Sequence, residues 1–416
     1  MLKTSSDKMQ WFRDARFGLF IHWGIYAVPG KGEWAMFNNK WDYDYYEQFA
    51  DCFNPVDFDP EYWAELAWNA GMRYVVFTTK HHDGFCMFDS KYTDFKITRT
   101  PYGRDVTDEL VNSFRNRGLK IGFYHSLVDW RHAHFIPDPE HPAWGDGKSD
   151  FNERDINIYR EYLYNSIRQL LTEYGKVDLL FFDYTSKYKT SSEWESEKLL
   201  KLVYELQPEI IVNDRLTYEK GENVLWDYCT PEVSVPSQQV KINGNTYDWE
   251  TCATMNSNWG YCSDDKAFKS SRSILEALIK CVSLNGNLLL NIGPDAQGNI
   301  PGESVNILHQ LSKWMKSGTE AIHQACMSQH KAPYGLIYTQ KDDVIYMHLF
   351  TPPIGDIILP ELNGQIKEIT VLTDGQEVPL ITHWGTELLD KNEIRIRPPA
   401  GLQPMSIIKI HLRNVN

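Results

Sequence analysis

The 416-residue chain is short of positive charge, of paired cysteines and of long apolar runs. Lysine and arginine number 42 against 56 aspartates and glutamates, a net charge of −14. That field repels phosphate backbones and anionic headgroups, which argues against nucleic acid and membrane surfaces as partners. The seven cysteines (Cys52, Cys86, Cys229, Cys252, Cys262, Cys281 and Cys326) are an odd number without a CxxC pair. This spacing argues against a disulfide framework and against a zinc site, and buried thiols are expected instead. No apolar run reaches the roughly 18 to 20 residues of a membrane helix. The opening MLKTSSDKMQWF has no h-region of a signal peptide, which leaves a cytoplasmic location, or a secreted one reached through a signal already removed. There is no repeat of fixed period and no low-complexity tract. What is plentiful is aromatic: 14 Trp, 23 Tyr and 19 Phe make 13% of the chain. Such rings pack large cores, and they are also platforms on which sugar rings stack.

With 42% hydrophobic and 24% charged residues, the chain has a globular composition, and its length suits two or three domains or one large barrel with an appendage. Through the first three quarters, short apolar runs alternate with amphipathic stretches, the pattern of repeated βα units around a parallel sheet. Buried strands are predicted at Phe17–Trp23, Tyr74–Thr79, Lys120–His125, Val177–Asp183, Ile210–Asp214 and Asn287–Ile292. Helices are predicted at Pro60–Ala70, Val106–Arg117, Asp155–Tyr174, Ser192–Leu206, Ser270–Leu284 and Ser304–Ile322. Gly118 is placed to end one of them. From about Ala332, strand-like alternation broken by Pro, Gly and Asn predicts a small antiparallel β domain, so the chain divides into residues 1–330 and 331–416.

In a barrel of βα units, residues at the C-terminal ends of the strands converge on one mouth. His22 and Trp23, Lys80 to Asp83, Tyr124 and His125, Asp183, and Asn213 to Arg215 all sit at such ends. Asp183 closes the apolar run LLFF, so a rigid strand delivers its carboxylate, which suits a nucleophile. His81, His82 and Asp83 could be metal ligands. Adjacent residues on a strand end point to opposite sides, however, so at most one of the two histidines easily faces a shared ion, and hydrogen bonding to ligand hydroxyls is the preferred reading. Between Asp214 and Asn258 the chain reads as irregular, and it carries Glu232 in TPE and Glu250 in WET. Retaining glycoside hydrolysis needs two carboxyl groups roughly 5 to 5.5 Å apart, and either glutamate could meet Asp183 across the mouth.

At these residues the sequence resembles the family 29 α-L-fucosidases. The resemblance runs through WFRDARFGLFIHWGIYAVPGKGEW (11–34), GMRYVVFTTKHHDGFCMFDSKYTDF (71–95), GFYHSLVDW (122–130), LLFFD (179–183), VNDR (212–215), TPE (230–232), WETCATMNSNWGY (249–261) and GNLLLNIGPDAQGNIP (286–301). It implies an irregular (β/α)8-like TIM barrel followed by a C-terminal antiparallel β-sandwich. It also implies a retaining exo-hydrolase that releases terminal α-linked L-fucose from oligosaccharides or glycoconjugates, with neither metal nor cofactor. The family nucleophile falls on Asp183. The acid/base falls on Glu232, with Glu250 as the alternative. Tyr184 and Thr185 after the nucleophile depart from the usual Gly or large aromatic, so the leaving-group side is expected to differ. By the same comparison His22, Glu33, Trp34, His81, His82, Tyr124 and Arg215 hold the fucose hydroxyls, and Trp259 adds an aromatic wall against the C5 methyl. Two other readings of the same residues are a metal-dependent barrel hydrolase using His22, His81, His82 and Asp183, and a fucose-binding, lectin-like protein without catalysis.

Overall fold

The computed structural model describes residues 8–145, 151–185, 188–217, 225–382 and 389–413. Five parallel strands come first: β1 (Phe17–Ile21), β2 (Tyr74–Lys80), β3 (Lys120–Ser126), β4 (Leu179–Asp183) and β5 (Ile211–Val212). β6 (Tyr228–Cys229) follows, then a small excursion, β7 (Lys241–Ile242) paired with β8 (Asn245–Thr246), and then β9 (Asp248–Thr254) and β10 (Asn287–Ile292). The sheet order is β5-β4-β3-β2-β1-β10-β9-β6, and an isolated parallel bridge from Asn213 to Tyr228 joins its two edges. The Asn213 side chain accepts from the Phe182 N–H (2.9 Å) and donates to the Phe182 carbonyl (3.0 Å). It stands in for ladder bonds where β5 is only two residues long, and so nearly closes the barrel.

Six of the barrel strands lie where the apolar runs predict them. β6 and β9 fall in the stretch expected to be irregular. DWETCAT is hard to read as a strand because its inward-facing positions carry Glu250, Cys252 and Thr254 rather than aliphatics.

The surrounding helices begin where side-chain caps direct them. Asp59, Asp105, Asp155 and Ser270 each accept a first-turn N–H of the helices Pro60–Asn69, Val106–Asn116, Ile156–Glu173 and Ser271–Ser283. A cap of this kind contributes roughly 1 kcal/mol. Gly118, at φ +91°, stops the second of these ahead of β3, as the sequence suggests.

Period-two alternation divides the strands between two cores. Leu19, Val75, Ile121, Leu180 and Leu288 face the helices. Phe20, Val76, Tyr124, Phe181 and Leu289 fill the lumen. On β4, Leu179 and Phe181 point inward, so Asp183, two residues on, crowns the lumen at its C-terminal end.

At the lower end, a Cβ on Gly18 would collide with the Tyr74 ring, so glycine lets that ring lie across the lumen. The Tyr74 hydroxyl donates to the Glu250 carboxyl, which is fully buried. The other oxygen of Glu250, Oε1, has no hydrogen-bond partner among the described residues. Burial pushes the Glu250 pKa up to about 8, against the smaller opposing pulls of the Tyr74 hydrogen bond and the Arg215 charge.

Beyond the last barrel helix the antiparallel strands β11 (Cys326–Met327), β12 (Ile337–Lys341), β13 (Val344–Leu349), β14 (Ile357–Leu359), β15 (Ile366–Val371), β16 (Leu380–Ile381), β17 (Ile394–Ile396) and β18 (Ser406–Leu412) form two sheets. One is ordered β11-β12-β13-β18-β15 and the other β14-β17-β16. They share a core of Ile345, Met347, Leu359, Ile396, Ile408 and Ile410. This unit rests on the outer helices: the Trp314 indole donates to the Met405 carbonyl (3.0 Å), and Arg272 donates to that of Phe350 (2.8 Å).

The neutral Glu250 makes a stability prediction. A carboxyl whose folded pKa lies above its unfolded value binds a proton on folding, so its contribution is complete below about pH 4.5 and is lost as pH rises toward 8. The slope is at most about 1.4 kcal/mol per pH unit. Glu250→Gln removes that titration while keeping an acceptor for Tyr74. The melting temperature of the variant is therefore expected to gain on that of the wild type between pH 5 and pH 8. A constant difference across this range contradicts the assignment.

Candidate active site

At the C-terminal ends of the barrel strands lies a cavity of about 180 Å³, lined by Phe20, His22, Trp34, His81, His82, Tyr124, Phe181, Asp183, Tyr184, Arg215, Glu232, Cys252 and Trp259. That is room for roughly six waters at ~30 Å³ each, on the scale of one monosaccharide. Among the described residues, none of those in the C-terminal sheets lines it.

The Asp183 carboxylate accepts from two sides, from the Tyr124 hydroxyl at Oδ2 (2.8 Å) and from Arg215 Nη1 at Oδ1 (2.9 Å). Burial alone would raise its pKa. The nearby Arg215 charge, the His82 ring and the two donated hydrogen bonds outweigh that, and the carboxyl ends below the ordinary Asp value. Arg215 sits on the 3-10 turn Asp214–Leu216 directly after β5. Its Nε donates to the Thr230 hydroxyl (2.9 Å), and that hydroxyl in turn donates to Asp214 (2.7 Å). Nη2 of the same guanidinium lies 2.8 Å from Oε2 of Glu232. The side chain of Glu232 is 43% exposed, against 19% for Asp183. One cation therefore touches both carboxylates, one deep and one at the rim.

Glu232 stands level with Cys252: the two are bridged in parallel, and the Val233 N–H donates to the Cys252 carbonyl (2.9 Å). Glu250 lies two residues earlier on β9, about 6.6 Å deeper at the usual rise per strand residue. It pairs in register with Asn287 at the start of β10. The structure does not bring Glu250 to the cavity.

The histidines are acceptors. Asn291 Nδ2 donates to the Trp259 carbonyl (2.6 Å), which orients the amide so that its oxygen receives His22 Nδ1–H (2.7 Å) and leaves Nε2 as an acceptor. The Ser126 hydroxyl donates to the Val128 carbonyl (2.9 Å) and accepts His82 Nδ1–H (2.7 Å), so His82 Nε2 is again an acceptor, 3.9 Å from Asp183. Burial drives the His22 pKa down to about 3 and that of His82 to about 4, so both rings are neutral near pH 7. His81 stacks on Tyr124 with ring centroids 5.5 Å apart, and its buried Nδ1 has no partner among the described residues.

Contrary to the strand-alternation argument, His81 and His82 both line the cavity. The β2–β3 ladder shifts register between Thr78 and Lys80, so the alternation is already broken before the two histidines. Glu33 does not line the cavity. Buried beneath the loop after β9, it accepts the Gly260 N–H at 2.7 Å and so braces Trp259. A Cβ on Gly293 would lie 2.7 Å from the Trp259 carbonyl, which accounts for the glycine of NIGP at this close approach. Trp34 packs edge-on against His82 and Trp130, each at 5.2 Å.

Other strand-end polar residues are structural. Lys80 donates to the Val128 carbonyl (3.0 Å), Asp83 accepts from Tyr46 (2.8 Å), and His125 meets the Thr79 hydroxyl (3.0 Å). The sequence reading missed Phe20, Phe181 and Cys252 on the cavity wall. Phe20 and Phe181 were legible from their parity with His22 and Asp183.

The α-L-fucosidase family model matches residues 2–320. Mouse tissue α-L-fucosidase is 31% identical over 396 residues, covering 87% of this chain and 82% of its own, and the α-L-fucosidase of Dictyostelium discoideum is 29% identical over 395 residues with the same coverage. Among solved structures, α-L-fucosidase isoenzyme 1 from Paenibacillus thiaminolyticus has a TM-score of 0.94 at 38% identity, covering 98% of this chain and 99% of that one. A GH29 α-L-fucosidase from Bacteroides thetaiotaomicron, a trapped covalent intermediate in complex with 2-fluoro-fucosyl fluoride, has a TM-score of 0.87 at 28% identity, covering 99% and 97%. With the family model spanning the whole barrel and these relatives spanning nearly the whole chain, the protein belongs to the α-L-fucosidase family.

Proposed function

We propose that this protein hydrolyses terminal α-linked L-fucose from oligosaccharides or glycoconjugates with retention of configuration, using Asp183 as nucleophile and Glu232 as acid/base. The observation that carries the assignment is the single guanidinium of Arg215 in contact with both carboxylates at the mouth of the cavity. Two carboxyls gathered on one side chain suit the short separation of a retaining pair. In the first half-reaction Asp183 attacks the anomeric carbon while the Glu232 carboxylic acid protonates the departing oxygen. In the second, Glu232 takes a proton from water as that water displaces Asp183. The covalent intermediate of the Bacteroides relative supports this order of events.

Neutral His22 and His82 each offer an Nε2 acceptor to sugar hydroxyls, and Trp259 with Phe20 and Phe181 gives the C5 methyl an apolar wall. Arg215 is more occupied by carboxylates than the hydroxyl-binding role first assigned to it would require. Hydroxyl recognition falls instead to the histidines and Trp34, with Tyr124 holding the nucleophile and Glu33 supporting from behind. His22 and His82 give Nδ1–H to neutral partners and keep Nε2 for sugar hydroxyls, and among the described residues no group of three His, Cys, Asp or Glu side chains is gathered as a metal-dependent hydrolase would need. The lectin-like alternative leaves the paired carboxylates without a purpose. The chemistry is carried by residues 1–330, and residues 331–416 support the outer helices.

Asp183→Asn is expected to lower kcat/KM on an aryl α-L-fucoside by at least ~10⁴-fold while the protein stays folded, and incubation of the wild type with 2-fluoro-fucosyl fluoride should add mass to the peptide carrying Asp183. Wild-type-like turnover in the variant, or a label on another side chain, rejects the nucleophile.

Glu232→Ala is expected to retain activity on fucosides with good leaving groups, to lose roughly 10²- to 10⁴-fold on natural linkages, and to yield α-L-fucosyl azide when azide is added. If Glu250→Ala behaves this way and Glu232→Ala does not, the two glutamates exchange roles.

A further inference from the structure

We propose that Arg215 is the positioning residue that carries its ion pair from Asp183 to Glu232 as the fucosyl ester forms, and that this transfer turns Glu232 from acid into base. The inference rests on the double-displacement reading above and assigns to Arg215 a part beyond binding sugar.

The first half-reaction moves a charge that such a device accommodates. Before it, Asp183 is an anion and Glu232 carries the proton. The Asp183 oxygen forms its bond to the anomeric carbon, the glycosidic C–O bond breaks with its electron pair on oxygen, and the Glu232 proton goes to that oxygen. Afterwards Asp183 is a neutral ester and Glu232 is the anion. One negative charge has moved across the mouth, and the total is unchanged. Arg215 touches both ends of that movement, Nη1 at Oδ1 of Asp183 (2.9 Å) and Nη2 at Oε2 of Glu232 (2.8 Å). It keeps a paired carboxylate throughout without changing place, and its own place is fixed by Thr230 and, through Thr230, by Asp214.

Among the described residues, the other groups around Glu232 act against its anion or are neutral. Glu33 repels it, the Cys252 thiol is held neutral by burial, and His22 and His82, on the Asp183 side, are neutral. Among the described residues Arg215 is therefore the cation that favours the base form once Asp183 is esterified.

The test isolates the second half-reaction. Wild type, Arg215→Lys and Arg215→Gln are loaded with 2-fluoro-fucosyl fluoride, whose fluoride leaves without an acid, the labelled residue is identified, and reactivation is followed from pH 4 to 9. The expected result is that Arg215→Gln reactivates roughly 10²-fold more slowly at neutral pH, with the midpoint of its acid limb raised by about 1 to 3 pH units. Azide, which needs no base, should accelerate it. Arg215→Lys, which keeps the charge, should retain a midpoint near that of the wild type. Should Arg215→Gln fail to fold, Thr230→Val, which removes the Nε acceptor, is expected to raise the midpoint in the same direction by less. A purely structural Arg215 predicts slow reactivation with an unmoved midpoint and no response to azide, and that result overturns the proposal. A label on a residue other than Asp183 overturns the underlying mechanism instead.

Discussion

A cation enclosed between two carboxylates governs the mouth of this barrel. Arg215 is largely withdrawn from water, and so is Asp183, so each would be costly to hold there without the other. Their contact depends on how the barrel closes. β5 is two residues long, and the chain turns at Asn213, whose side chain completes the ladder to Phe182. Arg215 follows two residues later. The bridge from Asn213 to Tyr228 then brings up Thr230, which seats Nε of the guanidinium. The irregularity of the barrel at this point is what lets an arginine on one strand end reach carboxylates on two others.

The histidines work because they are uncharged. Were His22 and His82 protonated, three cations would surround one aspartate, and each would draw electron density from the oxygen that has to attack. Burial prevents this, and Asn291 and Ser126 fix the remaining proton on Nδ1. Each ring is left with an acceptor facing the cavity, which suits a ligand rich in hydroxyl donors. The one position charge and the neutral rings thus divide the labour between activating a nucleophile and recognising a sugar.

Much of this was legible in the sequence because barrel geometry turns strand ends into a site. The run LLFF followed by Asp183 has one interpretation in a parallel barrel, and the polar ends of the first three strands point to the same mouth. What the sequence hides follows from two physical causes. A strand that faces the lumen with Glu250, Cys252 and Thr254 loses the apolar signature by which buried strands are recognised, so β9 reads as loop. In KHHDGF, a register shift replaces alternation just where it would have sorted one histidine inward and the other outward. The motif therefore mixes two cavity-facing rings with Lys80 and Asp83, which brace the neighbouring loop, and no spacing rule separates them. Glu33 is likewise indistinguishable by sequence from a ligand-binding acid, because its role of holding the backbone beneath Trp259 exists only once residues 227 positions apart in the chain have met.

The two candidate glutamates show how one layer of a barrel changes the chemistry of a side chain. Glu232 stands at the rim beside Cys252, within reach of solvent and of Arg215. Glu250 is one inward step below, sealed by Tyr74. Burial keeps Glu250 protonated, and this bears on the site above, because the Arg215 charge acts on both glutamates. An ionised Glu250 would be a third anion drawing on the same guanidinium, and the field of Arg215 at the rim would weaken accordingly. With the lower carboxyl neutral, the charge of Arg215 is directed at the mouth, where a negative charge has to move from Asp183 to Glu232 and back in every turnover. The apolar lower lumen that costs the fold a buried acid thus also sets the electrostatics on which the upper lumen depends.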